Sequence, residues 1–186
     1  MNWDDTLSLS INGLAQQSET LDWLMFSLGR PFLFKVVMGL TVLYWVWAKR
    51  REALVGGAIL LGLFIATDQL GAQLKDLVAR ARPCQVLSGM HHLVPCGGTF
   101  SFPSNHALNT ALVASFLHVL YPRSGWIAWP IVALVGVSRV YIGAHYVTDV
   151  LGSWMIGGVL GAGTAWLLLR WPIFRRSEGR AARLRP

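Results

Sequence analysis

The chain has 186 residues, of which 54% are hydrophobic and 13% are charged, and it contains nine Trp and nineteen Gly. This composition is more apolar and less charged than that of a soluble domain, so it favours a single membrane-embedded domain. The net charge of +7 does not indicate nucleic-acid binding, because the basic residues cluster in short loops and at the C-terminus. The acidic start MNWDD lacks the positive n-region of a signal peptide.

The first 30 residues predict an amphipathic helix. Apolar side chains recur at helical spacing from Leu7 to Leu28, with Asn, Gln, Glu and Asp between them. A helix of this kind either lies at the membrane interface or packs against the bundle as ordinary core, and the spacing fits both. We assign residues 1–30 to this interfacial helix.

Apolar runs follow over about 31–48, 53–74, 106–121, 126–142 and 150–169. Each is long enough to span, or nearly span, the ~30 Å hydrocarbon layer. The sequence therefore predicts an all-α integral membrane helical bundle with about five transmembrane helices plus the N-terminal amphipathic helix. The transmembrane domain covers 31–170, and a basic tail covers 171–186. Gly157 and Gly161 form a GxxxG pattern that fits a dimer face or close packing within one bundle, so the oligomeric state stays open.

Charge asymmetry predicts the orientation. The segments 49–52, 121–125 and 170–186 carry ten of the sixteen Lys and Arg and share one side of a five-span chain. The positive-inside rule makes that side, with the C-terminus, cytoplasmic. The 84–102 loop and the 143–149 turn then face the extracytoplasmic side of the inner (cytoplasmic) membrane. An oxidising compartment there permits a disulfide between Cys84 and Cys96, although two free thiols remain the alternative.

The stretch KDLVARARP (75–83) places cations beside apolar segments, where they are costly. Lys75 and Arg82 are seven residues apart and share a helix face, which suits an anion such as phosphate. Asp68 lies deeper on the same stripe and either holds the cations or makes a polar helix–helix contact. Arg80 is predicted to point elsewhere, as a surface or headgroup-region cation.

The stretch PSNH (103–106) lies just before an apolar run. Pro103, Ser104 and Asn105 fit a helix start, whose free N–H groups suit an anion, and His106 lies in the first turn. A capped helix with an incidental histidine is the alternative.

The stretch SRVYIGAHYVTD (138–149) supplies a histidine–carboxylate pair. His145 and Asp149 are four residues apart, so on a helix they are neighbours. A carboxylate that accepts the proton of one ring nitrogen makes the other nitrogen a better nucleophile. Arg139 offers a bidentate grip on phosphate oxygens. A purely structural Asp–His pair is the alternative.

Together the three stretches resemble the signature of the type 2 phosphatidic acid phosphatase (PAP2) superfamily: K-x6-R-P, then P-S-G-H, then S-R-x5-H-x3-D. The matching segments are 75–83, 103–106 and 138–149. One departure is Asn105, where the family usually has Gly. Because Asn tolerates unusual backbone angles better than most residues, we expect a working site with somewhat altered geometry.

The resemblance implies a metal-independent hydrolase with no cofactor. It implies that His145 attacks phosphorus to form a phosphohistidine, that Asp149 orients His145, and that His106 is the acid and base. The phosphoryl oxygens would be held by Lys75, Arg82, Arg139 and the backbone near Ser104 and Asn105. The implied partners are a membrane lipid substrate and the bilayer, with no nucleic acid. Undecaprenyl diphosphate is the favoured substrate. The alternatives are the 1-phosphate of lipid A, phosphatidylglycerol phosphate or phosphatidate and, outside enzymes, a membrane transporter.

Overall fold

The computed structural model describes residues 2–30, 36, 39–40, 43–47, 49–97 and 100–174, and every regular element in these residues is a helix. We number the α-helices in chain order: α1 Trp3–Asn12, α2 Glu19–Leu28, α3 Arg50–Val78, α4 Pro83–Val86, α5 Asn105–Leu120, α6 Gly125–Tyr141 and α7 Val147–Leu168. A 3-10 turn, Pro122–Ser124, precedes α6. The all-α class predicted from the sequence is thereby confirmed.

Within the described residues, three helical stretches are long and apolar enough to cross a membrane: Arg50–Val86, Pro122–Tyr141 and Val147–Leu168. They contain α3, α6 and α7. The predicted span 31–48 lies largely outside the described residues, as does most of the tail 171–186. Helix α5 has 16 residues, and eleven of them are buried, so it forms the centre of the bundle.

The N-terminal segment forms two helices, so the prediction of one helix over 7–28 is wrong. A capping box of Asn2 and Asp5 starts α1, and Gly13 follows its last residue. Ser18 then caps α2 by accepting a hydrogen bond from the Leu21 backbone. The cap residues at both ends of the 13–18 turn interrupt a hydrophobic periodicity that by itself reads as continuous.

Helix α1 docks on the bundle through polar side chains. Asp4, Ser8 and Asn12 recur every four residues and are buried, whereas Leu7 and Leu14 are exposed. The Ser8 hydroxyl accepts a hydrogen bond from the Val147 backbone at 3.2 Å. Asn12 donates to the Tyr141 carbonyl at 2.7 Å and accepts from the His91 backbone at 2.7 Å. Within α1, Leu7 therefore faces outward, whereas Ile11 packs against the core of the bundle.

Helices α5 and α7 form the closest helix pair, and two glycines explain why. A Cβ at Gly157 or Gly161 would overlap the backbone of α5 at Leu108 or Leu112. Without side chains at these positions, α7 lies directly against α5. The GxxxG pattern therefore serves packing within the bundle.

The four long helices bring their motif-bearing ends together at one end of the bundle. Ala79, in the left-handed conformation (φ 49°), ends α3 and turns the chain toward α4. Within α4, Cys84 is joined to Cys96 by a disulfide with 6.0 Å between the Cα atoms. At the opposite end, the Tyr121 hydroxyl accepts from Trp45 at 2.8 Å and donates to Glu52 at 2.5 Å.

Candidate active site

His145 lies in the turn between α6 and α7 and is almost fully buried, with 6% of its surface exposed. Its Nδ1 atom is 2.6 Å from the carbonyl oxygen of Ser101. Because a carbonyl oxygen only accepts hydrogen bonds, Nδ1 carries the proton and Nε2 keeps its lone pair. The backbone of the segment before α5 therefore sets the tautomer that a nucleophilic imidazole needs.

Asp149 does not hydrogen-bond to His145 directly, since its nearer oxygen is 3.9 Å from Nδ1. The carboxylate instead accepts hydrogen bonds from the Ser101 hydroxyl and from the Tyr146 backbone at 2.9 Å. The spacing of four residues predicted neighbours on one helix, but α7 begins only at Val147, so His145 precedes it. Ser101 therefore contacts both residues, His145 through its carbonyl and Asp149 through its hydroxyl.

Arg80 is part of this cluster, and its prediction as an outward-pointing cation is wrong. Its guanidinium donates to Asp149 at 2.6 Å and to Asp4 at 2.7 Å, and it lies 3.8 Å from the centre of the Tyr146 ring. Helical spacing fails here because α3 ends at Val78 and the left-handed Ala79 redirects the chain. Arg80 thus links α1 to the start of α7.

The predicted phosphate-binding cations come together around His145. Lys75 donates to the Pro103 carbonyl, and Arg82 donates to the Ala144 carbonyl at 2.9 Å. Arg139 is buried and donates to the Ser138 hydroxyl at 3.1 and 3.2 Å, and it forms no ion pair within the described part of the chain. A buried guanidinium without a carboxylate is unfavourable unless an anion joins it.

The same three cations also change the pKa of His145. Burial, followed by the positive charges of Arg82, Lys75 and Arg139, lowers the pKa of His145 well below its ordinary value. The imidazole is therefore neutral at physiological pH, as a nucleophile must be. A neutral nucleophile surrounded by fixed positive charge is an arrangement suited to attack on a phosphoryl group.

The start of α5 adds polar atoms to the site. Ser104 is the N-cap residue, and its backbone donates to the Ser153 hydroxyl at 2.8 Å. The Ser104 Oγ atom is buried and has no hydrogen-bond partner among the described residues. A free hydroxyl next to a helix N-terminus is a ready donor to an anion.

Asn105 is the first residue of α5 and has ordinary helical geometry, so no glycine is needed there for backbone reasons. Its side chain donates to Asp68 at 3.2 Å, and Asn109 donates to the same carboxylate oxygen at 3.1 Å. A Cβ at Gly71 would come within 2.8 Å of the Asn105 side-chain oxygen. Of the two predictions for Asp68, the observed contacts match the polar helix–helix contact. The Asn side chain is accommodated by a glycine on α3.

His106 completes the set of predicted side chains. Its ring lies next to the backbone of Gly29 and within electrostatic range of Arg139, Asp68 and Lys75. Among the residues that the structure describes, no group of three His, Cys, Asp or Glu side chains is placed to hold a metal ion.

Sequence reasoning missed several residues of this end of the bundle. They are Asp4, Gly29, Ser101, Tyr146 and Thr148, all of which contact a predicted site residue or Arg80. Asp4 and Gly29 lie far from the motifs in sequence, and no local pattern points to them. Ser101 precedes PSNH by only two residues, so the sequence indicates that it lies near the start of α5. The sequence does not indicate its contacts with His145 and Asp149.

Comparison with known proteins identifies the family. The family model described as "PAP2 superfamily" matches residues 51–173, about two thirds of the chain. The chain belongs to the PAP2 superfamily. The undecaprenyl-diphosphatase of Sulfolobus acidocaldarius is 32% identical over 142 residues, which cover 76% of this chain and 68% of that protein. A lipid A 4'-phosphatase of Porphyromonas gingivalis is 29% identical over 164 residues, covering 83% of this chain and 68% of that protein.

A solved structure agrees with the fold. The transmembrane PAP2-type phosphatidylglycerolphosphate phosphatase of Bacillus subtilis superimposes with a TM-score of 0.66 at 26% identity. The match covers 98% of this chain and 86% of that one. The sequence-based prediction of a membrane-embedded PAP2 phosphatase is thereby confirmed. The three similar proteins act on three different lipids by name, so the family alone does not choose a substrate.

Proposed function

We propose that this PAP2 protein hydrolyses a lipid diphosphate through a phosphohistidine on His145, with undecaprenyl diphosphate as the substrate. The observation that carries the proposal is the neutral, buried His145, whose Nδ1 is bonded to a carbonyl while Lys75, Arg82 and Arg139 surround it. In such a site the cations can bind a phosphoryl group while the neutral imidazole attacks it.

In the proposed first step, the Nε2 lone pair of His145 attacks the terminal phosphorus and the bond from phosphorus to the bridging oxygen breaks. His106, which is protonated at the start of the cycle, donates its proton to that oxygen and becomes neutral, so the lipid monophosphate leaves in protonated form. The positive charges and the Ser104 hydroxyl stabilise the charge that spreads over the equatorial oxygens.

In the second step His106 accepts a proton from water, and the resulting hydroxide attacks the phosphohistidine. The P–N bond breaks, inorganic phosphate leaves, and His145 returns to its neutral form. Asp149 stabilises the positive charge on His145 during both steps through Ser101, and Arg80 fixes the carboxylate. Both histidines are thus regenerated after one turnover.

The proposed location is the inner membrane, with about five spans, the site on the extracytoplasmic side and the C-terminus in the cytoplasm. The Lys and Arg of 49–52, 121–125 and 170–186 support this orientation. The disulfide between Cys84 and Cys96 supports it as well, since disulfides persist in oxidising compartments. A C-terminal fluorescent protein should fluoresce in cells, and a C-terminal alkaline phosphatase should be inactive; the reverse pattern would contradict the orientation.

A substrate panel tests the proposal. Purified protein in detergent should release phosphate from undecaprenyl diphosphate with a higher kcat/KM than from lipid A, phosphatidylglycerol phosphate or phosphatidate. Activity should persist in EDTA, because positive side chains and helix N–H groups supply the charge that a metal would otherwise supply. If another lipid gives the highest kcat/KM, that lipid would replace undecaprenyl diphosphate as the proposed substrate. Loss of activity in EDTA that is recovered with Mg²⁺ would overturn the metal-independent mechanism.

A further inference from the structure

Helix α2 brings the residue that follows it, the C-cap Gly29, into the site. Gly29 caps α2 with φ −96° and ψ 0°, which lies outside the positive-φ region that favours glycine. A glycine is therefore not needed here for conformational reasons. A Cβ at Gly29 would overlap the guanidinium of Arg139, so a side chain at this position would displace that guanidinium.

The backbone of Gly29 also contacts the second histidine of the site. The His106 ring lies next to it. One backbone position thus touches Arg139, which we assign to phosphate binding, and His106, which we assign to proton transfer.

The surroundings of Arg139 explain why a helix end is suited to this contact. The C-terminal end of a helix carries partial negative charge and stabilises a nearby cation. It neutralises the guanidinium less than a carboxylate would, so Arg139 keeps its capacity to bind an anion. The absence of an ion pair to Arg139 within the described residues is consistent with this.

Helix α2 is held in this position from α6. The Tyr141 hydroxyl lies 2.7 Å from the Asp22 carboxylate and 3.1 Å from the Leu14 carbonyl. Asp22 in turn accepts hydrogen bonds from the Gln16 backbone at 3.1 Å. Tyr141 and Arg139 both lie in the last turn of α6. The contact between Tyr141 and Asp22 therefore holds α2 close to the Arg139 guanidinium.

We infer that Gly29 is a positioning residue of the active site, whose lack of a side chain gives the Arg139 guanidinium room to face the phosphate beside His106. The inference rests on the proposed function for the roles of His106 and Arg139. It adds the N-terminal segment to the catalytic machinery of this chain.

The test is Gly29→Ala, with Gly158→Ala as the matched control. A Cβ at Gly158 meets nothing within 4 Å, so the control adds the same methyl group without a contact. Gly29→Ala should lower kcat/KM about 100-fold and weaken inhibition by vanadate about tenfold, because it displaces one oxyanion-binding group and the acid/base. Gly158→Ala should stay within about twofold of wild type in both measurements.

A double-variant cycle shows whether the effect passes through Arg139. Adding Gly29→Ala to Arg139→Ala should weaken vanadate binding by less than about twofold, since the displaced group is already absent. If Gly29→Ala weakens vanadate binding equally in the wild-type and Arg139→Ala proteins, Gly29 does not act by placing Arg139. Wild-type behaviour of Gly29→Ala would overturn the whole inference.

Tyr141→Phe keeps the test decisive if Gly29→Ala does not fold. It removes the hydroxyl that anchors α2 and adds no atoms, and it should weaken vanadate inhibition about threefold to tenfold. Unchanged vanadate inhibition would contradict the inference. Vanadate binding, read as a rise in Tm, does not require turnover. If no lipid is hydrolysed, the proposed function fails while this measurement still tests Gly29.

Discussion

At the scale of single residues, both histidines of the site contact the backbone. His145 donates to the carbonyl of Ser101, and His106 lies next to the backbone of Gly29. The carboxylate of Asp149 acts one step further out, where it accepts from the Ser101 hydroxyl. A negative charge held in this position stabilises an imidazolium without drawing the histidine away from the phosphate.

Ser101→Ala tests this arrangement. The carbonyl that orients His145 remains, but the buried Asp149 loses a hydrogen-bond donor, which costs about 1.5–3 kcal/mol. We expect kcat to fall about tenfold with KM nearly unchanged, because the cations keep their places. Ser101→Thr retains the hydroxyl and should restore most of the rate.

The control for this experiment is Ser10→Ala on the exposed side of α1, where the hydroxyl bonds only within its own helix. It should match wild type. A loss in Ser101→Ala as complete as in His145→Ala would contradict the indirect role of the hydroxyl, and so would no loss at all.

At the scale of elements, α1 shows how an amphipathic helix is used in this chain. Its polar stripe carries Asp4, which binds Arg80 at 2.7 Å and accepts from the Thr148 backbone at 3.0 Å. Helix α1 is thereby connected to the first turn of α7, where Asp149 lies. Trp3 and Leu7 of the same helix are exposed, so it is the polar stripe of α1 that takes part in assembling the site.

Asp4→Asn should destabilise the protein in a pH-dependent way. Burial opposes the charge of Asp4, but hydrogen bonds from Thr148 and the ion pair with Arg80 outweigh it and lower the pKa of Asp4 below 3.8. This stabilisation is fully present above pH 3.8 and is lost as the pH falls through the lower folded value.

At neutral pH the free energy of unfolding should fall by about 2 kcal/mol in Asp4→Asn, read as a lower Tm in detergent. The difference from wild type should shrink below pH 4 or so. Asp5→Asn removes a neighbouring carboxylate that caps α1 but does not contact Arg80, and it is the control for charge alone. A pH-independent difference would contradict the ion-pair account.

Gly157→Ala tests the close contact between α5 and α7. The new methyl group would overlap the Leu108 carbonyl, and forcing the helices apart should cost about 1–3 kcal/mol. Gly158→Ala, whose methyl group meets nothing within 4 Å, should leave the Tm unchanged. Equal Tm values for the two variants, or a change of oligomeric state in Gly157→Ala alone, would contradict packing within one bundle.

At the scale of the whole molecule, the sequence predicted the helical class and the convergence of three motifs at one end. These features follow from hydrophobic run length and from alternating chain direction, which are local properties. The predictions failed where helices end. Ala79 turns Arg80 inward, Gly13 and Ser18 divide the N-terminal helix, and α7 begins after His145. Contacts across long separations, such as Asp4 with Arg80, leave no periodic signal.

The central claim is that His145 becomes phosphorylated during turnover. Undecaprenyl diphosphate labelled with ³²P on its terminal phosphate should label the protein within the first turnover after rapid quenching. The label should be acid-labile and base-stable, and peptide mapping should place it on His145. His145→Ala should show neither label nor turnover. Label on another residue, or turnover by His145→Ala, would contradict the account.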